Sequence, residues 1–116
     1  MTTQTQSTTE AVFAHHLQAV RDRDVEAIVF DYADDAVMMM PDGVVRGIDQ
    51  IRTHFTDVVN GAPAELLTNL QADQLNIEGE FVFLLWSSGD MVPHASDTLC
   101  IRNGKIVMQT GVNWTS

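Results

Sequence analysis

The stretch DVEAIVFDYADDAVMMMPDG, residues Asp24–Gly43, decides how the rest of the chain is read. Asp24 is suited to cap a helix, because its carboxylate can accept from the free backbone N–H groups of a first turn. Val25, Ile28, Val29 and Tyr32 then share one helical face, and the helix is expected to end near Asp34-Asp35. Val37–Met40 is too short for a helix and runs into Pro41-Asp42-Gly43, whose fixed and positive φ angles suit a turn. Val44–Arg46 is the return strand. The order is helix, break, methionine-rich strand and tight turn. Met38 and Met40 fall on one face of that strand and Met39 on the other.

Towards the N-terminus, Ser7-Thr8-Thr9-Glu10 fits a capping box. A helix is expected over residues 8–22, with residues 1–9 as a flexible arm and 10–116 as one domain. Phe13, His16, Leu17 and Val20 follow the i, i+3, i+4, i+7 spacing of one inward face, and His15 points about 100° away. Towards the C-terminus, Gly47 opens a third helix with Ile48, Ile51, Phe55, Val58 and Val59 inward. Asn60-Gly61 and Pro63 end it. The remainder reads as β structure. Leu66–Ile77 alternates loosely, Glu78-Gly79 is a turn, Phe81–Ser88 is a strongly apolar strand and Ser88-Gly89-Asp90 a break.

A chain of 116 residues, 45% of them hydrophobic, can build one core. The formal charge of −10 repels phosphate backbones and anionic membranes, so neither nucleic acid nor a membrane is expected as partner. No apolar run approaches the ~18 residues of a membrane span. The opening MTTQTQSTTE has neither a basic start nor an apolar stretch and does not read as a signal peptide. A single cysteine, Cys100, rules out an intramolecular disulfide and fits a reducing cytoplasm.

Asn103-Gly104 is a type I′ hairpin signal, since both residues tolerate positive φ. An unbroken two-residue hairpin sets Ile101 opposite Ile106, Leu99 opposite Met108, Asp97 opposite Thr110 and Ala95 opposite Val112, with Trp114 further along the same face. Arg102, Cys100, Thr98, Lys105, Val107 and Gln109 would form the other, mostly polar face. Asp97 then sits on an apolar face, where an unpartnered carboxylate is costly. Either Thr110 or a backbone amide satisfies it, or it points into a cavity with a raised pKa. His16 carries the same two readings, a satisfied core histidine or a catalytic group that titrates in the useful range. His54 and His94 read as surface residues. No His or Cys spacing supports a metal site, no glycine-rich phosphate loop occurs, and no cofactor is expected.

The order of elements from Glu10 to Trp114, above all DVEAIVFDYADDAVMMMPDG, the Gly47-Ile48 helix start and the hairpin DTLCIRNGKIVMQTGVNW, resembles the nuclear transport factor 2-like superfamily, in its SnoaL-like and ketosteroid isomerase-like branch. The resemblance implies an α+β, cystatin-like roll: a cone-shaped, curved, mostly antiparallel sheet wrapped around three helices of the N-terminal half, often paired into homodimers through the sheet. Ketosteroid isomerase uses an aspartate base and an oxyanion hole of a tyrosine and a protonated aspartic acid. The base position, just before the turn proline, falls here on Met40, which cannot accept a proton. The tyrosine position falls on His16 and the aspartic acid on Asp97. The resemblance thus implies a pocket for a small apolar carbonyl compound between Tyr32, Met38, Met40, Phe55, Trp86 and Trp114. Asp97 and His16 would be its catalytic groups, for isomerase, cyclase or dehydratase chemistry. The alternative is a non-catalytic ligand-binding or dimerisation module of the same fold.

Overall fold

The computed structural model describes residues 4–114, the side chain of Trp114 excepted. The elements run α1 (Gln4–Arg21), α2 (Val25–Phe30), β1 (Tyr32–Met40), β2 (Gly43–Arg46), α3 (Gly47–Gly61), α4 (Ala64–Thr68), β3 (Gln71–Glu78), β4 (Phe81–Ser88), β5 (Val92–Arg102) and β6 (Lys105–Trp114). The strands form one curved sheet in the order β2-β1-β6-β5-β4-β3. Every neighbouring pair is antiparallel except β1 and β6, which run parallel. The helices cover one sheet face, where Phe13, Ile28, Ile51 and Phe55 pack against Val82, Leu84, Leu99 and Ile106. This is the α+β roll expected from the sequence.

Four local expectations change. Helix α1 already runs at Gln4, so Ser7 lies within it and residues 4–9, expected as an arm, are helical. Thr9 is buried and its hydroxyl donates to the Thr5 carbonyl. Helix α2 is capped by Asp24, whose carboxylate accepts from the Ala27 amide at 3.1 Å, but it stops at Phe30. The Ile106 amide donates to the Asp31 carbonyl at 2.7 Å and draws the chain into the sheet, so Tyr32 begins β1 instead of closing a helical stripe. Pro63 leads into the one-turn helix α4, which buries Leu67 and delays β3 to Gln71. A single turn carries too little periodicity to be read from sequence.

The fourth change reaches the site. The Asn103-Gly104 turn has φ of 53° and 77°, and Arg102–Lys105 and Ile101–Ile106 pair as expected. The register then slips by one residue. Cys100 faces Met108, leaving Val107 as the extra residue of a β-bulge, and every later pair follows. Leu99 therefore faces Gln109 instead of Met108, Asp97 faces Gly111 instead of Thr110, and Ala95 faces Asn113 instead of Val112. Trp114 pairs with His94. Cys100, assigned to a polar face, is buried.

Ile106 anchors this region, fully buried where β1, β5 and β6 meet. Ile106→Ala should cost about 2–5 kcal/mol, the usual range for emptying a packed aliphatic site. Urea unfolding measures it. A loss below about 1 kcal/mol would mean that the site collapses freely and that Ile106 is no anchor.

Candidate functional site

A cavity of about 540 Å³ lies between α1, α3, α4 and the inner sheet face. That exceeds the ~300 Å³ at which ligand sites begin. Most of the wall is apolar, including Phe13, Met38, Met40, Phe55, Leu84 and Trp86. His16, Asp42, His54, Asp97, Gln109 and Asn113 are its polar members.

Asp97 reaches the wall from β5. Its Oδ1 accepts from the Trp86 indole Nε1–H at 3.1 Å, and its Oδ2 accepts from the Gln109 Nε2–H at 2.9 Å. Thr110 is not its partner. The other end of the Gln109 amide accepts from the Tyr32 hydroxyl, closing a chain Tyr32–Gln109–Asp97–Trp86. Burial pushes the Asp97 carboxyl above its ordinary range, while the bonds from Trp86 and Gln109 pull it back. Burial, then the negative charges of Asp97 and Asp31, pushes the Tyr32 phenol well above 10, so it stays a donor. Gly111 makes room for the carboxylate. A Cβ there would lie 3.1 Å from Asp97 Oδ1, so the carboxylate would have to give way by a few tenths of an ångström.

His16 lines the cavity from α1 and is buried. Its ring meets Tyr32 and Phe55 edge to face, at centroid distances of 5.5 and 6.5 Å. Among the described residues, its Nδ1 is the only enclosed side-chain nitrogen or oxygen without a hydrogen-bond partner. Burial, and then the neighbouring His15, lower its pKa from 6.5 to about 4, so the imidazole is neutral at pH 7. No hydrogen bond among the described residues joins it to Asp97, whose oxygens accept from Trp86 and Gln109.

The carboxylate near His16 is Asp31, at the α2–β1 junction. Asp31 Oδ2 lies 3.8 Å from His16 Nδ1 and 2.8 Å from His15 Nδ1. Asp31 is buried, and burial raises its carboxyl pKa against the opposing pull of His15.

The structure thus brings Asp97, His16, Met38, Met40, Phe55 and Trp86 to one cavity. Tyr32 is not on that wall but behind it, buried and bonded to Gln109. The Trp114 side chain lies outside the described residues. His54, expected at the surface, is half-buried at the cavity, and burial lowers its pKa. His94 is exposed, as expected. Sequence reasoning missed Gln109, because the bulge reverses its face, and Asp31, because it was counted inside a longer helix. The available signal was Gly111, a residue without a side chain in an otherwise filled strand. Among the described residues no three His, Cys, Asp or Glu side chains converge as a metal site requires. No helix among them is long and apolar enough to cross a membrane.

With this geometry in place, comparison with known proteins identifies the class. The SnoaL-like domain family matches residues 13–108, and the chain belongs to that family. Its fold is shared by a nuclear transport factor 2-like protein of unknown function from Burkholderia xenovorans LB400, at TM-score 0.82 and 18% identity over 98% of this chain and 88% of that one. A SnoaL-like protein of unknown function from Burkholderia thailandensis e264 superposes at 0.79 with 15% identity, covering 97% and 98% of the two chains. A provisionally named ketosteroid isomerase from Kribbella flavida DSM 17836 superposes at 0.74 with 14% identity, covering 96% and 81%. None of the curated proteins matches the chain. At these identities the likeness concerns the fold, which hosts many activities.

The His16 pKa has a measurable sign. A buried base with a depressed folded pKa stabilises the fold above its unfolded value, and that contribution is lost as pH falls from 6.5 through about 4. The full window corresponds to about 3 kcal/mol. Asp31 and Asp97 have raised values and act in the opposite direction, so the comparison must be with a variant. Stability of the wild type relative to His16→Gln, from urea unfolding, should fall by about 2–3 kcal/mol between pH 7 and pH 4.5. Parallel pH profiles would show that His16 is not buried neutral.

Proposed function

We propose that this SnoaL-like chain binds a small apolar carbonyl compound in its cavity and moves a proton on it. Asp97 is the base and His16 the second proton-handling group. The observation that carries this reading is the state of Asp97, a carboxylate with an indole N–H and an amide N–H on its two oxygens, at the wall of a largely apolar cavity. Both bonded oxygens act as acceptors, which suits an ionised carboxylate. Burial raises its basicity towards the range useful near neutral pH. Met40 lines the cavity without any proton-accepting atom, so Asp97 takes the task that the base position before the turn proline serves in ketosteroid isomerase. Abstraction of a proton next to a carbonyl is the first step shared by isomerisation, cyclisation and dehydration of such compounds. A cytoplasmic location accords with the free, buried Cys100 thiol.

We also propose a homodimer through the outer sheet face. Phe83, Thr98, Thr110, Met39 and Val44 form one row across five strands on that face. Phe83, Met39 and Val44 are 39%, 44% and 47% exposed, so the row offers apolar area to a second copy.

The chemistry is tested by deuterium exchange at the α-carbons of cyclic ketones and enones in D₂O, followed by NMR. The wild type should accelerate exchange, and Asp97→Asn should lower the rate by about 10²–10⁴ while keeping the fold. Unchanged exchange in Asp97→Asn would remove the base assignment. No exchange with any ketone would leave the cavity as a binding site only. For the assembly, sedimentation should give a dimer at micromolar concentration and a monomer for Phe83→Lys. A strictly monomeric wild type ends that proposal.

A further inference from the structure

Helix α1 places two adjacent histidines against one buried carboxylate. Asp31 is fixed at the α2–β1 junction by its backbone: its amide donates to the Ile28 carbonyl and its carbonyl accepts from Ile106. The His15 Nδ1–H donates to both carboxylate oxygens, at 2.9 and 2.8 Å. His15 thereby pins the carboxylate in one orientation. On its other side the same Oδ2 faces His16 Nδ1 at 3.8 Å. That is too long for a hydrogen bond, but it brings a charge close to an enclosed ring nitrogen that has no other partner.

A neutral imidazole must choose which nitrogen carries its proton, and the environment of one nitrogen settles the role of the other. With the proton on Nε2, His16 would turn the Nδ1 lone pair towards a carboxylate inside a low-dielectric core. With the proton on Nδ1, the N–H dipole points at that charge. The second arrangement is favoured, and burial strengthens the preference. Nδ1 is enclosed, so Nε2 across the ring is the nitrogen left facing the cavity that His16 lines.

We infer that Asp31 is a positioning residue that holds His16 as the Nδ1–H tautomer, so that Nε2 presents a lone pair to the cavity. The ligand class that follows is a carbonyl compound bearing a hydroxyl group. The ligand class rests on the proposed function; the tautomer does not. Asp97 accepts on both oxygens and His16 accepts on Nε2, so this end of the cavity is a pair of acceptors. A ligand that brings only a carbonyl oxygen, itself an acceptor, leaves the His16 lone pair unmet. One that also brings an O–H satisfies His16, and a methyl ether in its place leaves the imidazole lone pair unmet. Unmet buried polar groups, more than lost contacts, are what make such sites selective.

Two measurements test this. In protein labelled with ¹⁵N-histidine, long-range ¹H–¹⁵N correlations at pH 7 report the tautomer of each ring, with His16 assigned by its loss in His16→Gln. The wild type should show Nδ1 protonated and Nε2 bare, and Asp31→Asn should move population to the other tautomer. A proton on Nε2 in the wild type overturns the inference whether or not the variant folds. An unchanged tautomer in folded Asp31→Asn removes the role given to Asp31. The ligand class is read from chemical-shift titrations with 6-hydroxy-1-tetralone and 6-methoxy-1-tetralone. The hydroxy compound should bind at least about tenfold more tightly, and His16→Phe should erase the difference. Equal or stronger binding of the methoxy compound, or no binding of the hydroxy compound at millimolar concentration, overturns the ligand class. Ketone exchange with Nε2 protonated would keep the proposed chemistry and end this inference. The expected tautomer without any exchange would end the proposed chemistry and keep the role given to Asp31.

Discussion

One extra residue in β6 controls what the cavity contains. Side chains on a strand alternate faces, so an insertion reverses every residue beyond it. Val107 is that insertion. Without a slip in register, Met108 and Thr110 would lie across from Leu99 and Asp97, and Gln109 would belong to the opposite face. With it, Gln109 and Gly111 turn inward together. One supplies a donor to the Asp97 carboxylate and the other leaves the space that the carboxylate occupies. A bulge also bends and twists its strand, which suits a sheet that must curve around the helices.

The polar chain built on that bulge runs against the tendency of its surroundings. A carboxylate in an apolar cavity is disfavoured by desolvation, and two good donors offset only part of the cost. A hydrophobic residue at position 97 would pack with less conflict. Strain of this kind in an otherwise consistent core is the pattern expected at a working site. The Tyr32 hydroxyl, which burial keeps protonated, fixes the direction of the chain. It donates to Gln109, so Gln109 turns its own donor to Asp97.

The second carboxylate, Asp31, ties the site to the fold. Its backbone closes α2 and enters the sheet through Ile106, while its side chain lies between His15 and His16. A change at this junction would disturb a helix end, a strand start and a ring of the cavity wall together. Asp97 and Asp31 thus do different things. The first is held by neutral donors and faces the cavity. The second is held by one imidazole and lies beside another.

Much of the architecture was legible in the residues alone, because local chemistry dictates it. Asp24 caps α2 with its own carboxylate, Asn103-Gly104 adopts the positive φ angles of its turn, and the apolar stripe of α3 buries Ile51 and Phe55. The inward aim of His16, and of Met38 and Met40, follows from periods of 3.6 and 2 that need no knowledge of the rest of the chain. What only the tertiary structure decided lies where two distant segments compete for one stretch of backbone. Tyr32 left its helix because Ile106 claimed the carbonyl beside it, and Asp31 moved with it from the interior of an expected helix to a buried junction. Gln109 and Gly111 met Asp97 because β6 pairs with β1 on one edge and β5 on the other, and their two registers meet in the bulge. Periodicity is a property of one segment, whereas a register is an agreement between two.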